Sequence, residues 1–121
     1  MKTEHAGMLT PRKIFQTRHG KSLVLEAEDG FLVVVEVAEK TTRKHRADYY
    51  LSYSASIRSG VLSDTPIRCI PKRIKSPYSP KVLGGIDREE FDEIRAIAAA
   101  ELATMLSEQR GRKSVSGVYR W

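Results

Sequence analysis

The sequence predicts a small, mainly β domain with one C-terminal α-helix, and three observations carry that prediction. Segments rich in β-branched, leucine and aromatic residues recur between turn signals across residues 13–74, as in a sheet of short strands. The Glu28-Asp29-Gly30 turn joins two of these segments like a hairpin. Only one long stretch, beginning at Asp87, carries apolar residues at helical spacing. Short strands with turns between them favour a barrel or sandwich over alternating strands and helices.

The 121 residues suit one domain. Residues 1–12 are polar, contain Gly7 and Pro11, show no sustained period, and read as a flexible N-terminal arm. Residues 13–17 form the first expected strand, and residues 22–27 (SLVLEA) follow the polar Arg18-His19-Gly20-Lys21 turn. Residues 31–37 (FLVVVEV) are apolar on both faces, so this strand is expected at the centre, covered by the core on one side and by a helix or second subunit on the other. After a charged loop at residues 39–46 come expected strands at 49–53 and 67–74, separated by a turn at Gly60. Pro66 and Pro71 bracket the last of these and point to an edge or a bulge, because proline donates no ladder hydrogen bond.

Asp87 and Glu90 stand as cap and third helical residue, so the helix is expected at about 87–108. Phe91, Ile94, Ala98, Leu102 and Met105, with Ile97 and Leu106 beside them, form the face expected to pack on the sheet. Residues 109–121 read as a basic tail, and the β domain is therefore assigned to 13–108.

Cys69 is the single cysteine, which excludes an intrachain disulfide and a cysteine-based zinc cluster, and agrees with a reducing, cytoplasmic location. The apolar runs are too short to span a bilayer as a helix, and the N-terminal residues lack the apolar stretch of a signal peptide. His5, His19 and His45 belong to no spaced ligand motif, and Gly20-Lys21-Ser22 lacks the upstream glycine and following helix of a phosphate loop. Neither a metal nor a cofactor is expected.

Charge is divided unevenly. The chain carries +6, while residues 87–108 hold seven acids and two bases, −5, leaving +11 for the rest. A basic β body attracts polyanions, although modest basicity also suits a merely soluble surface. Two clusters stand out: Lys40, Arg43, Lys44, His45 and Arg46 in one loop, and Arg68, Lys72, Arg73, Lys75 and Lys81 further on, with no acid between Arg68 and Lys81. Such cations on an open sheet face can hold successive phosphates, and Tyr49, Tyr50, Tyr53 or Tyr78 can stack unpaired bases. Arg68, Lys72, Lys75, Arg43, Lys44 and Arg46 are the candidate nucleic-acid contacts, with solvated charged surface as their alternative reading.

The order of motifs carries a resemblance. A strand, the Glu-Asp-Gly turn, an apolar strand, Thr41-Thr42, Asp48-Tyr49-Tyr50-Leu51, Ser59-Gly60-Val61-Leu62, Ile67-Arg68-Cys69 and Gly84-Gly85-Ile86-Asp87 before a helix resemble the PemK/MazF/Kid-like toxins over roughly residues 13–107. The resemblance implies an SH3-like barrel with a helix, a homodimer, an antitoxin partner and, in active members, metal-independent cleavage of single-stranded RNA. It places Arg73 and Thr41 or Thr42 at catalytic positions. This sequence has Gly20-Lys21 or Lys21-Ser22 where the family carries Arg-Pro, and Lys75 where an acid is expected two residues after the arginine. His19, with Arg18 beside it, lies close enough in sequence to substitute for the lost arginine. The candidate catalytic set is therefore Arg73, Thr42 and His19. The alternative is a non-catalytic module of the same fold, either a nucleic-acid binder or a protein inhibitor similar to the gyrase-directed CcdB-like toxins, whose C-terminal tryptophan Tyr119-Arg120-Trp121 resembles.

Overall fold

The computed structural model describes residues 9–39 and 43–116, with side chains to residue 109. Its elements are β1 (Lys13–Thr17), β2 (Gly20–Glu28), β3 (Phe31–Val37), β4 (Asp48–Tyr49), α1 (Tyr53–Ser59), β5 (Ile67–Lys75), β6 (Lys81–Gly85) and α2 (Arg88–Ser116). The strands form one six-stranded sheet in the order β4-β5-β3-β2-β1-β6, and every neighbouring pair is antiparallel. As expected, the apolar β3 lies inside the sheet.

Alternation along β3 splits its side chains between two cores. Val35 and Val37 join Ile14, Leu23, Ile67 and Cys69 beneath α2, where Phe91, Ile94 and Ala98 complete the larger cluster. Leu32 and Val34 face the other way, against Leu9, Phe15 and Val24. Ile74 on β5 and Val82 on β6 also pack on this second cluster, although three strands separate β5 from β6 in the sheet. The sheet is therefore curled like a small barrel, but β4 and β6 leave it open.

Pro71 lies in an irregular step of β5. Arg68 pairs with Glu36 and Lys72 with Val34, so three residues of β5 oppose one of β3. A bulge there removes the demand for a proline N–H. β4 covers only the start of β5, through Asp48↔Arg68 and Tyr49↔Ile67. Cys69 lies in the same irregular step but points into the core and is fully buried; burial pushes its thiol up to about 12, and the nearby Asp48 charge adds to the shift.

Four expectations are corrected. The N-terminal arm contributes to the core from Leu9, which is buried, and the Arg12 N–H donates to the Val24 carbonyl at 3.0 Å. The strand expected at 49–53 stops at Tyr49, and a second helix, α1, follows. The Ser52 hydroxyl accepts from the Ala55 N–H at 3.3 Å and starts this helix, while Gly60, at φ 77°, takes the left-handed conformation that ends it.

The start of α2 is as expected, since the Asp87 carboxylate accepts the Glu90 N–H at 2.9 Å. Its end is not: the helix runs on to Ser116, into the segment expected as a tail. Ala98 is the last apolar residue of this 29-residue helix to be buried against the sheet, and Leu102, Met105 and Leu106 beyond it are exposed where packing was expected. No helix among the described residues is long and apolar enough to cross a membrane.

Candidate functional site

Turn β1–β2 is tight, with Thr17 paired to Gly20, so Arg18 and His19 project from its tip. The curl of the sheet brings this tip over the outer half of β5. Between them lie two adjoining cavities of about 440 Å³ and 650 Å³. His19, Gly20, Glu36 and Lys72 line both, which makes the pair one continuous groove. Half-buried Ile74 supplies apolar surface to the larger cavity, with the buried Phe15 and Val34 behind it, and Arg18, Lys75 and Tyr78 also line it. Tyr78 is 91% exposed, leaving its ring open to a planar partner.

Glu36 sits centrally in the groove. It follows Leu32 and Val34 on the same face of β3, opposite Ser22 on β2 and Arg68 on β5. Its carboxylate accepts from the Lys72 ammonium at 3.2 Å, and both side chains are more than half exposed. The His19 N–H donates to Thr17 Oγ1 at 3.1 Å, and Arg18 Nε approaches His19 Nε2 at 3.5 Å. Lys21, at the rim of the smaller cavity, pairs with Glu39 at 3.0 Å and donates to the Gly60 carbonyl at 3.3 Å.

The residues expected from sequence divide sharply. His19, Arg68, Lys72 and Lys75 line the groove. Arg73 does not. Its register partner is Val33, which packs on the α2 side of the sheet, and its guanidinium stacks 4.4 Å above the Phe31 ring and 3.6 Å from Glu28. Thr41 and Thr42 lie outside the described residues, as do Lys40, His5 and Tyr119-Arg120-Trp121.

The loop cations are directed elsewhere. Arg46 makes a two-pronged contact with Glu101 of α2 at 2.8 Å and 3.0 Å and reaches Glu108 at 3.4 Å. Hydrogen bonding to Arg46 holds the Glu101 carboxyl below its usual range. Arg68 is similarly clamped to Asp48 at 2.8 Å and 3.1 Å, and donates to the Arg43 carbonyl at 2.7 Å. That clamp lowers the Asp48 carboxyl, whose side chain is only 5% exposed. Arg43 and Lys44 are exposed and line neither cavity.

Sequence reasoning missed Glu36 and Glu90. The signal for Glu36 was a lone charge in an otherwise apolar strand, which marks the point where that face opens to water. Glu90 was read as the return half of a capping box. Instead its buried carboxylate accepts the Ser52 N–H at 2.9 Å and hydroxyl at 2.8 Å, and the Tyr49 hydroxyl at 3.2 Å, fastening β4 and α1 to the long helix. Burial, with Glu90 and Glu93 nearby, raises the Tyr49 phenol.

Chemically, the groove offers cations for phosphates, apolar and aromatic surface for a planar ring, and an imidazole and a carboxylate for proton transfer. No protein-family model matches the sequence, and no curated protein matches it. Among solved structures, a chain of the MazE-MazF complex (Form-III) from Deinococcus radiodurans superimposes with a TM-score of 0.60 at 11% identity, covering 78% of this chain and 95% of that one. A chain of the Form-II complex gives 0.57 at 11% identity, covering 77% and 92%. At this identity the likeness concerns the fold, and the fold is the MazF-like one.

Proposed function

We propose that this MazF-like domain is the toxin of a toxin–antitoxin pair, acting in the cytoplasm on single-stranded RNA bound along the His19–Lys72 groove and cleaving it without a metal. The observation that carries the reading is the groove itself: Arg18, His19, Lys72 and Lys75 converge on a cleft in which Glu36 and Glu39 are the acids. Arg18, Lys72 and Lys75 hold phosphates, Arg68 is anchored at the cleft's end, and Tyr78 stacks an unpaired base. Of the candidate catalytic residues Arg73, Thr42 and His19, the last, chosen as a substitute for the arginine this sequence lacks, is the described one that lines the cleft, and it serves as a proton-transfer group. The two fold neighbours come from MazE-MazF complexes, which supports an antitoxin partner; the homodimer is carried over from the family resemblance. Exposed Leu102, Met105 and Leu106 give α2 an apolar stripe suited to protein contact.

Fluorescence anisotropy with labelled single-stranded and duplex RNA of mixed sequence, run in EDTA across a salt series, tests the reading. The expected result is preference for the single strand, affinity that falls with salt, and shortening of the RNA. Absent or salt-independent binding would overturn it. Binding with the RNA left intact would favour the non-catalytic nucleic-acid module instead.

A further inference from the structure

We infer that Glu36 is a catalytic residue of the groove, the base that accepts the ribose 2′-hydroxyl proton, working opposite His19 as the acid; this rests on the RNA-cleaving reading above. The motif order implies no acid at this position, and the residue aligned with the expected acid is Lys75. The fold supplies a carboxylate from another strand. Glu36 and His19 line both cavities, one on the floor and one on the overhanging turn. A scissile phosphate lying between them has a proton acceptor on one side and a donor on the other, the arrangement an in-line displacement needs.

Lys72 explains how the site is held ready. Its ammonium is paired with Glu36 at 3.2 Å, with both groups in solvent contact, and an exposed pair of this kind contributes little stability. An arriving phosphate competes for the ammonium, draws Lys72 onto its oxygens, and leaves the carboxylate to the 2′-hydroxyl. The step balances as follows. Glu36 takes the 2′-hydroxyl proton as the 2′-oxygen forms its bond to phosphorus. The bond from phosphorus to the 5′-oxygen breaks, its electron pair stays on that oxygen, and protonated His19 delivers a proton there. A 2′,3′-cyclic phosphate and a 5′-hydroxyl result; Glu36 then gives its proton to solvent water and His19 takes one up from it, so both groups return to their starting forms with no net proton consumed.

The test compares wild type, Glu36→Gln, Glu36→Asp and His19→Gln on single-stranded RNA and on the same sequence in 2′-deoxy form, with binding and cleavage measured separately. Glu36→Gln should bind RNA at least as tightly as wild type, since a negative charge is removed, and cleave about 10²- to 10⁴-fold more slowly. Glu36→Asp should recover part of the rate. The deoxy strand should bind and stay intact, and RNA products should end in cyclic phosphate. Unchanged melting temperatures exclude misfolding. If wild type cleaves and Glu36→Gln matches it within threefold, the assignment falls while the RNA reading stands. If wild type binds RNA but never cleaves it, both the assignment and the nuclease reading fall. If wild type does not bind RNA at all, the functional reading itself fails.

Discussion

Two regions of similar positive charge behave in opposite ways. The loop at residues 43–46 and the start of β5 turn their arginines inward, Arg46 onto Glu101 and Arg68 onto Asp48, carboxylates with only 5% of their side chains exposed. The β1–β2 turn and outer half of β5 present Arg18, His19, Lys72 and Lys75 to an open cleft. Like charge in sequence thus divides into a fastening set and a binding set. What separates them is burial of the partner: a desolvated carboxylate needs its cation, whereas the exposed Glu36–Lys72 pair can part. One thread of the fastening set joins the basic loop to the acidic helix, through Arg46 on Glu101 and Glu108.

The largest expected effect breaks the fastening side. Arg68→Ala strands the Asp48 carboxylate and should cost about 1–3 kcal/mol in urea unfolding, whereas Lys72→Ala should stay within about 0.5 kcal/mol of wild type. Equal losses would erase the distinction.

Acid probes the same side. Asp48 and Glu101 both have lowered carboxyl values, so their contribution is fully present above the unfolded values of 3.8 and 4.5 and is lost as pH falls through the folded ones. Melting temperature should therefore hold near neutrality and drop below about pH 4, less steeply in Asp48→Asn, which no longer titrates there.

On the binding side, the double variant Arg18→Ala with Lys75→Ala should flatten the salt dependence of RNA affinity by about 1.4 in the log–log slope, at about 0.7 per phosphate contact on a single strand. Arg46→Ala should leave that slope unchanged.

A small effect is expected at Arg73, which belongs to neither set. Arg73→Ala removes a guanidinium stacked on Phe31 and should cost about 0.5–1 kcal/mol of stability while RNA cleavage persists. Loss of cleavage in this variant would return the catalytic role to the position that family resemblance implies.

These outcomes also measure what the sequence could reveal. β1 and β3 are legible to the residue because alternation and turn chemistry act locally, and the start of α2 is legible because Asp87 caps it directly. α1 is not. Its seven residues, YSASIRS, are too few for a period to emerge, and the helix is secured by Ser52 binding Glu90, 38 positions away. Arg46 and Glu101 are 55 positions apart, so nothing near Arg46 indicates that its charge is directed inward. The exposed stripe on α2 has perfect helical spacing, and nothing local to it indicates that packing on the sheet stops at Ala98. In the groove, His19 was visible as a polar turn residue, but Glu36 resembled a defect in an apolar strand until the curl of the sheet set the two together.

Cys69 has a practical consequence. A thiol is attacked by alkylating and disulfide reagents through its thiolate, and here burial both shields the sulfur and pushes its ionisation up to about 12. The native protein should therefore be inert to such reagents while the opened chain is reactive. Labelling of this single thiol becomes a clock for the molecule: its rate counts how often the interface between β5 and the long helix comes apart, and it needs no engineered cysteine.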